Sequence, residues 1–468
     1  MPLHHQEIHF MPRSQIGLVP STRFATMPPR MKKLSRRTFI KAASTAFAVP
    51  FILPSSIWNA KSEDKPNNRL NIGFIGIGMQ NRGHLGSVIG RDDARVLAVC
   101  DVDSDRLNNA RETVVNRYKE RFGENAPKCD AYSDFRELID RKDIDALFIA
   151  TPDHWHQIPV VMAANAKKHI YCEKPLSLTV REARAMVNAV RKNDIIFQTG
   201  SQQRSSAEFR QAARLVRNGK IGKIEKVIIN IGGPSRWCDL PTEQAPKGLN
   251  WEMWLGPAPY RGYNSKLSPR GVHQFYPWRD YREYSGGMTT DWGAHHYDIT
   301  QWALGMDDSG PVKFVPPGTE GATSGIKFYY ANGVVVQHGG DNTLERDGKK
   351  EGFGIQFIGT EGRIYVDRGK IGFAPEEIED IKFTDSDIKL YESNDHHQDW
   401  FNCVREHKRP ICDVEVGCRS VSVCHLCNIA YWTNKEIHWD PKREVITNNE
   451  EANSLLSRKQ RAPYCDWV

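Results

Sequence analysis

The chain has 468 residues, 39% of them hydrophobic and 10% aromatic, which is typical of a folded protein large enough for two domains with sizeable cores. Its formal net charge of +7 originates in the first 60 residues, which hold eight Lys or Arg and one acid; residues 61–468 contain 56 of each sign. Because this larger part is neutral and has no basic stripe with interleaved aromatics, the composition disfavours nucleic acid as a partner.

An export signal is the first predicted element. Residues 35–41 read Ser-Arg-Arg-Thr-Phe-Ile-Lys, a twin-arginine pattern, and the uncharged residues 42–60 follow with a small-residue cleavage site at Ala46-Phe47-Ala48. A transmembrane anchor, the alternative, needs about 20 predominantly apolar residues, whereas this stretch has two prolines and four Ser or Thr. We therefore expect a cleaved leader, the twin-arginine translocase as a partner, a periplasmic location and no stable membrane anchor.

Short apolar strands alternate with helices between residues 71 and 198. Alternation of this kind predicts a parallel sheet with helices on both faces. The helical pattern is clearest over residues 105–121 and 179–192. The predicted strands cover residues 71–75, 95–100, 146–149, 169–172 and 195–198.

A glycine-rich turn follows the first strand. Gly76 permits a tight turn, and Gly78 lets the backbone approach a pyrophosphate at the start of the next helix, near Met79. Asn81 stands where a third glycine is expected, and an ordinary glycine turn is the alternative. Asp101 ends the next strand, where an acid accepts hydrogen bonds from the ribose 2′-hydroxyl and repels a 2′-phosphate. The pattern therefore favours NAD over NADP.

Two polar segments follow later strands, at the carboxyl edge of the sheet where ligands bind. They read Thr151-Pro152-Asp153-His154-Trp155-His156 and Cys172-Glu173-Lys174-Pro175. Lys174 beside a nicotinamide can hydrogen-bond a substrate hydroxyl and stabilise negative charge on its oxygen as hydride leaves; a surface salt bridge with Glu173 is the alternative. The candidate cofactor-binding residues are Gly76, Gly78, Met79, Asp101, Thr151, Pro152, His156, Glu173 and Lys174.

From about residue 226 the pattern changes to longer strands and hairpins, which predicts a second, sheet-rich domain. A late helix over residues 416–433 should pack back on its sheet. Residues 232–284 are rich in Trp, Pro and Gly and predict long loops. The strands are expected at residues 325–331, 334–338, 353–358 and 363–367.

Aromatic residues cluster in these loops, as a sugar site requires. Their rings could stack on sugar faces while Arg279 or Gln202 binds hydroxyls; ordinary core packing or an oligomer contact is the alternative. The aromatics are Trp237, Trp251, Trp254, Tyr260, Tyr263, Trp278, Tyr281 and Tyr284.

The segment after the loops carries acid–base groups. If residues 284–304 become helical near Asp291, then Asp291 and His295 share a face, and the carboxylate can hold the imidazole tautomer and raise its basicity. His295 would then take the hydroxyl proton, and His296 is a secondary substrate-binding candidate. A metal site formed by Asp291, His295 and Asp298 is one alternative, and helix capping by Asp291 is another.

These motifs together resemble the Gfo/Idh/MocA oxidoreductases over nearly all of residues 68–440. The resemblance implies an α/β fold: an N-terminal Rossmann domain that binds NAD(P), and a C-terminal α+β domain with a large open mixed sheet. That second domain is expected to bind a sugar or polyol and to form a homo-oligomer, a dimer or tetramer. The resemblance also implies that Lys174, Asp291 and His295 are catalytic, that Asp298 supports them, and that no metal takes part.

We predict an extension with a signal over residues 1–60, an NAD-binding domain over 61–200, a substrate-binding and oligomerisation domain over 201–440, and a tail over 441–468. The predicted function is an exported NAD-dependent oxidoreductase of sugars, polyols or glycosides with tightly bound cofactor, since the twin-arginine route carries proteins already folded. Two alternatives remain: a redox-neutral glycosidase or lyase that uses trapped NAD, and a non-catalytic sugar-binding protein.

Overall fold

The computed structural model describes residues 69–271, 276–339 and 344–465, which pack as one compact unit. The twin-arginine motif and the predicted leader lie outside these residues, so export stays a sequence prediction. Within the described ranges, no helix is both long and apolar enough to cross a membrane.

The first sheet has six parallel strands. They are β1 (Leu70–Ile75), β2 (Ala94–Cys100), β3 (Asp130–Tyr132), β4 (Ala146–Ile149), β5 (His169–Cys172) and β6 (Phe197–Thr199). Their order, β3-β2-β1-β4-β5-β6, is that of the Rossmann fold. The predicted strands are confirmed to within two residues, but β3 was missed because it has no apolar run and two of its three residues are exposed.

Helices cover this sheet, which explains why β4 is buried at every residue. Asp103 and Thr179 start the second and fifth helices by accepting hydrogen bonds from backbone N–H groups. The helices are α1 (Met79–Ile89), α2 (Ser104–Phe122), α3 (Phe135–Ile139), α4 (Gln157–Asn165) and α5 (Val180–Asn193).

The second half of the chain builds a larger mixed sheet. Its strands, with one separate hairpin, are β7 (Ile224–Asn230), β8 (Lys313–Val315), β9 (Lys327–Tyr329), β10 (Val335–His338), β11 (Leu344–Arg346), β12 (Lys349–Glu351), β13 (Gly354–Gly359), β14 (Arg363–Asp367), β15 (Lys370–Ala374), β16 (Ile437–Asp440) and β17 (Val445–Ile446). Nine of these strands pair in the order β15-β14-β13-β7-β10-β9-β8-β16-β17, and β7 is parallel to β10. The expected Rossmann domain followed by a large mixed sheet is confirmed.

The helices of the second half pack partly on this sheet and partly on the first half of the chain. They are α6 (Ala207–Arg217), α7 (Trp251–Leu255), α8 (Met288–Asp291), α9 (Gly293–Leu304), α10 (His396–Glu406), α11 (Val414–Thr433) and α12 (Glu450–Ser454). Side chains of α6, α9 and α11 share one hydrophobic cluster with the sheet. The helix predicted over residues 416–433 is therefore confirmed as α11, and it also packs on α5 of the first half.

A buried charge cluster fixes α9 against the end of the first sheet. Arg204, in a 3₁₀ turn after β6, donates to both carboxylate oxygens of Asp298 on α9, at 2.8 and 2.9 Å. It also donates to Asp307, at 2.7 and 3.0 Å, and Ser420 of α11 donates to Asp298 at 2.6 Å. Although burial opposes its charge, the two carboxylates raise the pKa of Arg204 well above its ordinary value.

We predict that Arg204→Met lowers the free energy of unfolding by about 3–5 kcal/mol, because it leaves two carboxylates in the interior without their cation. Arg117→Met is the matched control: the Arg117–Glu120 pair is exposed on α2, so stability should change by less than about 0.5 kcal/mol. Urea unfolding of both variants measures the difference. Equal stability of the two variants would show that the buried cluster contributes nothing.

Candidate active site

The glycine turn after β1 forms as predicted and is braced by neighbouring backbone. Gly76 has φ +78°, and a side chain there would lie 2.9 Å from the backbone of Thr151. Asn81, at the place of the third glycine, donates its amide N–H groups to the carbonyl oxygens of Ile75 and Gly76, at 3.1 and 2.9 Å. Asn81 therefore stabilises the turn with hydrogen bonds, whereas a glycine at this position would allow the helix to pack closely on the strand.

Asp101 lies at the end of β2, at the predicted edge of the sheet. Its carboxylate accepts hydrogen bonds from the backbone N–H of Ile77 at 2.6 Å and of Asp103 at 2.9 Å. Burial raises the pKa of Asp101 above its ordinary value. Since a carboxylate has about four acceptor positions, Asp101 can hold the glycine turn and still accept from a ribose hydroxyl.

A cleft of about 1050 Å³, measured with its open mouth, runs along the carboxyl edge of the first sheet. All nine predicted cofactor-binding residues line it, and so does Arg279. A side chain built on Gly78 would meet only Tyr276, at 3.7 Å, so the space above the first turn of α1 is open. Eleven-residue α1 thus directs its free backbone N–H groups into a cleft with room for a pyrophosphate.

His156 joins two of the loops that line the cleft. Its ring nitrogens lie 2.8 Å from the carbonyl oxygens of Thr151 and Pro175, which follow β4 and β5. The side chain is buried, and this burial lowers its pKa. His156 therefore orders the loops that carry Thr151 and Lys174.

The ammonium of Lys174 pairs with Asp291 rather than with Glu173. Its Nζ donates to the Asp291 carboxylate at 2.7 Å and to the Asp291 carbonyl at 3.0 Å. Arg279 approaches the same carboxylate oxygen to 3.5 Å. Although burial opposes ionisation, Lys174 and Arg279 hold the pKa of Asp291 below its ordinary value. A lysine from the first sheet and an acid from the second half thus meet at the cleft.

The single helix expected to carry Asp291 and His295 on one face is interrupted. Trp292 separates α8, which ends at Asp291, from α9, so the two residues do not lie on one continuous helix. Nδ1 of His295 has no hydrogen-bond partner in the described part of the chain. Burial, with a contribution from Lys174, lowers the pKa of His295 well below its ordinary value. The ring is therefore neutral, and His295 is not among the residues that line the cleft.

The other residues of that segment point elsewhere. Asp298 is bound by Arg204, away from Asp291 and His295, so the three side chains of the alternative metal site are not brought together. Among the described residues, no group of three His, Cys, Asp or Glu could hold a metal ion. His296 is fully buried between the rings of Trp292 and Phe353, and burial lowers its pKa to about 3.

Of the three predicted substrate-binding residues, only Arg279 lines the cleft. Gln202 lies in the 3₁₀ turn after β6 and donates to the hydroxyl of Tyr171 at 3.4 Å. Gln202 and His296 do not line this cleft, and their assignment as substrate-binding residues stays a prediction.

The loop aromatics mostly pack on one another. Trp251 and Trp254 stack with centroids 4.6 Å apart, and Tyr284 meets Trp254 edge-on at 5.1 Å. Trp254 and Trp278 also line the cleft, whereas Trp237 and Tyr260 are exposed. The cluster thus forms a wall of the cofactor cleft, and most of its rings are not free to stack on a sugar.

Two cleft residues were not assigned from the sequence. Arg106 of α2 donates to the carbonyl of Pro269 at 2.7 Å and lies over the ring of Tyr276 at 5.0 Å, which ties the loops to the first sheet. Asp153 is 3% exposed and accepts a hydrogen bond from Ser285 at 2.6 Å. Burial raises the pKa of Asp153 to about 7. The only sequence signal for Asp153 was its place directly after Thr151-Pro152.

Comparison with known families agrees with this arrangement. Residues 70–201 match the Gfo/Idh/MocA oxidoreductase family, NAD-binding Rossmann fold, and residues 207–466 match the C-terminal alpha/beta domain of the same family. The chain belongs to this oxidoreductase family. It therefore carries the NAD-binding domain that the glycine turn and Asp101 predicted.

Individual relatives are more distant. Myo-inositol 2-dehydrogenase of Thermotoga maritima is 30% identical over 238 residues, 51% of this chain and 56% of that protein. 2,7-anhydro-N-acetylneuraminate hydratase of Escherichia coli is 30% identical over 160 residues, 33% of this chain and 38% of that protein. The chain thus matches about half or less of these relatives. The WlbA dehydrogenase of Bordetella pertussis, solved with NADH and UDP-GlcNAcA, shares the fold, with a TM-score of 0.55 at 18% identity over 80% of this chain and 99% of that chain.

The stability of the wild-type protein should fall between pH 5 and pH 8, and we predict that Asp153→Asn abolishes this fall. Burial raises the folded-state pKa from 3.8 to about 7, so the folded protein binds more protons than the unfolded chain in this range. Stability therefore falls as the pH rises toward 7, by a few kcal/mol at about 1.4 kcal/mol per pKa unit. Unfolding at both pH values measures the effect, with the exposed Asp308→Asn as control. The same pH dependence in wild type and Asp153→Asn would contradict the assignment.

Proposed function

We propose that the chain is an exported NAD-dependent oxidoreductase, which transfers hydride between a hydroxyl-bearing carbon of a sugar, polyol or glycoside and a tightly bound nicotinamide. The observation that carries this proposal is the Lys174–Asp291 ion pair, 2.7 Å long, at the NAD cleft. A lysine held in one direction by a buried carboxylate is suited to act on a substrate hydroxyl. The inositol dehydrogenase among the relatives supports a polyol or sugar substrate.

In the proposed reaction, different residues bind the cofactor, act on the substrate oxygen and accept the proton. Bound NAD supplies the hydride acceptor, and Gly76, Gly78 and Asp101 are the residues that would hold it. Lys174 donates a hydrogen bond to the substrate oxygen and stabilises the negative charge that develops there. Asp291 fixes the direction of the Lys174 ammonium. His295, neutral because it is buried, accepts the hydroxyl proton.

The loops over the cleft support tight retention of the cofactor. Leu267, Ser268, Tyr276 and Trp278 line the cleft, and Arg106 bonds this segment to the first sheet. A cofactor beneath these loops leaves only when they move. If release takes hours, the dissociation rate is on the order of 10⁻⁴ s⁻¹, and association at about 10⁵–10⁷ M⁻¹s⁻¹ then gives a nanomolar or lower dissociation constant. Retention of this kind suits an enzyme without access to a cytoplasmic NAD pool.

A redox-neutral reaction is the second candidate. One relative is named a hydratase, and adding water to a substrate involves no net oxidation. An enzyme that keeps its cofactor must also return each hydride, either to the same sugar, to a second sugar or to an external acceptor. The two candidates differ in whether NADH accumulates during turnover or only appears transiently.

We predict that Lys174→Ala and His295→Ala each lower turnover by at least about 10²-fold, because each removes a group that acts on the substrate oxygen or its proton. Lys167→Ala, an exposed lysine after α4, is the matched control and should keep wild-type turnover. The assay follows NADH absorbance and product formation with myo-inositol, aldoses and glycosides. Near-normal turnover in either variant would remove that residue from the reaction.

We predict that full-length protein recovered from the periplasm carries near-stoichiometric NAD(H) although none is added. The double variant Arg36→Lys with Arg37→Lys should stay in the cytoplasm and be equally loaded, because the twin-arginine pair directs export of the folded protein. Cell fractionation and nucleotide analysis of denatured protein measure both properties. Apo protein that works only with added NAD would overturn retention, and unchanged export of the double variant would overturn the route.

A further inference from the structure

A chain of hydrogen bonds runs from the cofactor cleft to the surface through side chains that the proposed reaction does not use. Oε1 of Glu173, which lines the cleft, is 2.7 Å from Nε2 of His84 on α1. Nδ1 of His84 is 2.9 Å from Nε2 of His397 on α10. Nδ1 of His397 is 3.2 Å from the hydroxyl of exposed Ser87. Four side chains thus connect the cleft with solvent at hydrogen-bond distances.

The inner part of this chain lies in an aromatic environment. His84 is 3% exposed and Glu173 is 4% exposed. The ring of Tyr171 packs edge-on against both histidines, at 5.1 Å from His84 and 5.2 Å from His397. The charge of the neighbouring Lys174 lowers the pKa of Glu173. At the start of α10, His396 lowers the pKa of His397 and Asp395 raises it. The side chains themselves therefore offer a path for a proton through this region.

The protonation states of these side chains determine which atom donates in each hydrogen bond. Although burial opposes ionisation, the hydrogen bond from His84 lowers the pKa of Glu173, so Glu173 is a carboxylate that accepts from Nε2–H of His84. Transfer towards the cleft requires the proton between the two rings to lie on Nε2 of His397, with Nδ1 of His84 as its acceptor. Burial lowers the pKa of His397 to about 3, so its ring is neutral. The Ser87 hydroxyl donates to the carbonyl oxygen of His84 at 2.9 Å, which leaves Nδ1 of His397 as the outer acceptor of the chain. In this arrangement each proton between the side chains points towards the cleft.

We propose that Glu173, His84 and His397 form a proton relay that delivers a proton from solvent to the cofactor cleft. The role of the relay rests on the proposed function: reduction of a carbonyl forms a C–H bond with the transferred hydride, and the carbonyl oxygen takes up one proton. Nδ1 of His397 gains a proton from solvent, Nε2 of His397 passes its proton to His84, and Nε2 of His84 passes its proton to Glu173. This uptake leaves the ring protons of His84 and His397 on Nδ1. In that state each Nε2 can accept, so a proton released by oxidation of a hydroxyl leaves by the reverse transfers.

The relay reaches the cleft beside the proposed reaction site. Glu173 and Lys174 line the same cleft, so a substrate hydroxyl or one water molecule can connect the Glu173 carboxyl with the reacting oxygen. A redox-neutral cycle uses the chain in both directions, first for the released proton and then for its return. His84 and His397 are positioning and proton-transfer groups outside the substrate contact.

The first test needs no substrate. NMR of the full-length, NAD-loaded protein with ¹⁵N-labelled histidine reports the tautomers and the exchange of the His84 ring proton with water. We expect Nε2–H on His84 and His397, and at least about tenfold slower exchange of the His84 proton in His397→Phe, which keeps an aromatic ring in place. His407→Phe, at the other end of α10 and paired with Asp194, should leave exchange unchanged. A proton on Nδ1 of His84, or unchanged exchange in His397→Phe, would overturn the relay.

The second test uses a sugar that the wild-type protein turns over. His397→Ala should slow proton uptake, followed with a pH indicator in single turnovers, at least about tenfold, while NAD content stays the same. Added imidazole should restore the rate by filling the space of the missing ring, and His407→Ala should not respond. Wild-type proton uptake in His397→Ala contradicts the role in the reaction. If no sugar is turned over, the proposed function fails, and the exchange measurement still decides whether the relay exists.

Discussion

The arrangement of the active site depends on the buried charge cluster around Arg204. This side chain follows the last strand of the first sheet and binds Asp298 on α9, while Ser420 of α11 binds the same carboxylate. The preceding turn of α9 carries His295, and α8 before it ends at Asp291. A buried ion pair adds little stability over apolar packing but leaves a strong penalty for any other arrangement. We interpret the cluster as the constraint that brings Asp291 to Lys174.

The cleft shifts the pKa values of two nearby acids in opposite directions. Asp291 stays ionised because Lys174 and Arg279 approach it, whereas burial raises the pKa of Asp153 to about 7. Pairs of acids held apart in this way are typical of sites that move protons. Arg106 and the loop aromatics line the other part of the cleft. Hydride transfer to or from a hydroxyl-bearing carbon also moves a proton, and carrying that proton is the role we assign to His84 and His397.

Much of the fold could be predicted because hydrophobic periodicity is a local property. Five of the six strands of the first sheet, the helix α11 and the change to hairpins followed from runs of apolar residues and turn-forming residues, whereas β3 has no apolar run. The nine cofactor residues could also be grouped, because parallel strands end at the same edge of a sheet. The break at Trp292 could not be predicted: the apolar pattern continues across it, so Asp291 and His295 were wrongly placed on one helix.

The sequence by itself determined the fold class, the family, the NAD turn and the residue types available at the cleft. The tertiary structure decided which polar groups are partners. Lys174 meets Asp291 across 117 positions, and His84 meets His397 across 313. Each of these residues has several possible partners in the sequence, and the choice depends on distance and burial, which exist only after the sheets and helices have packed.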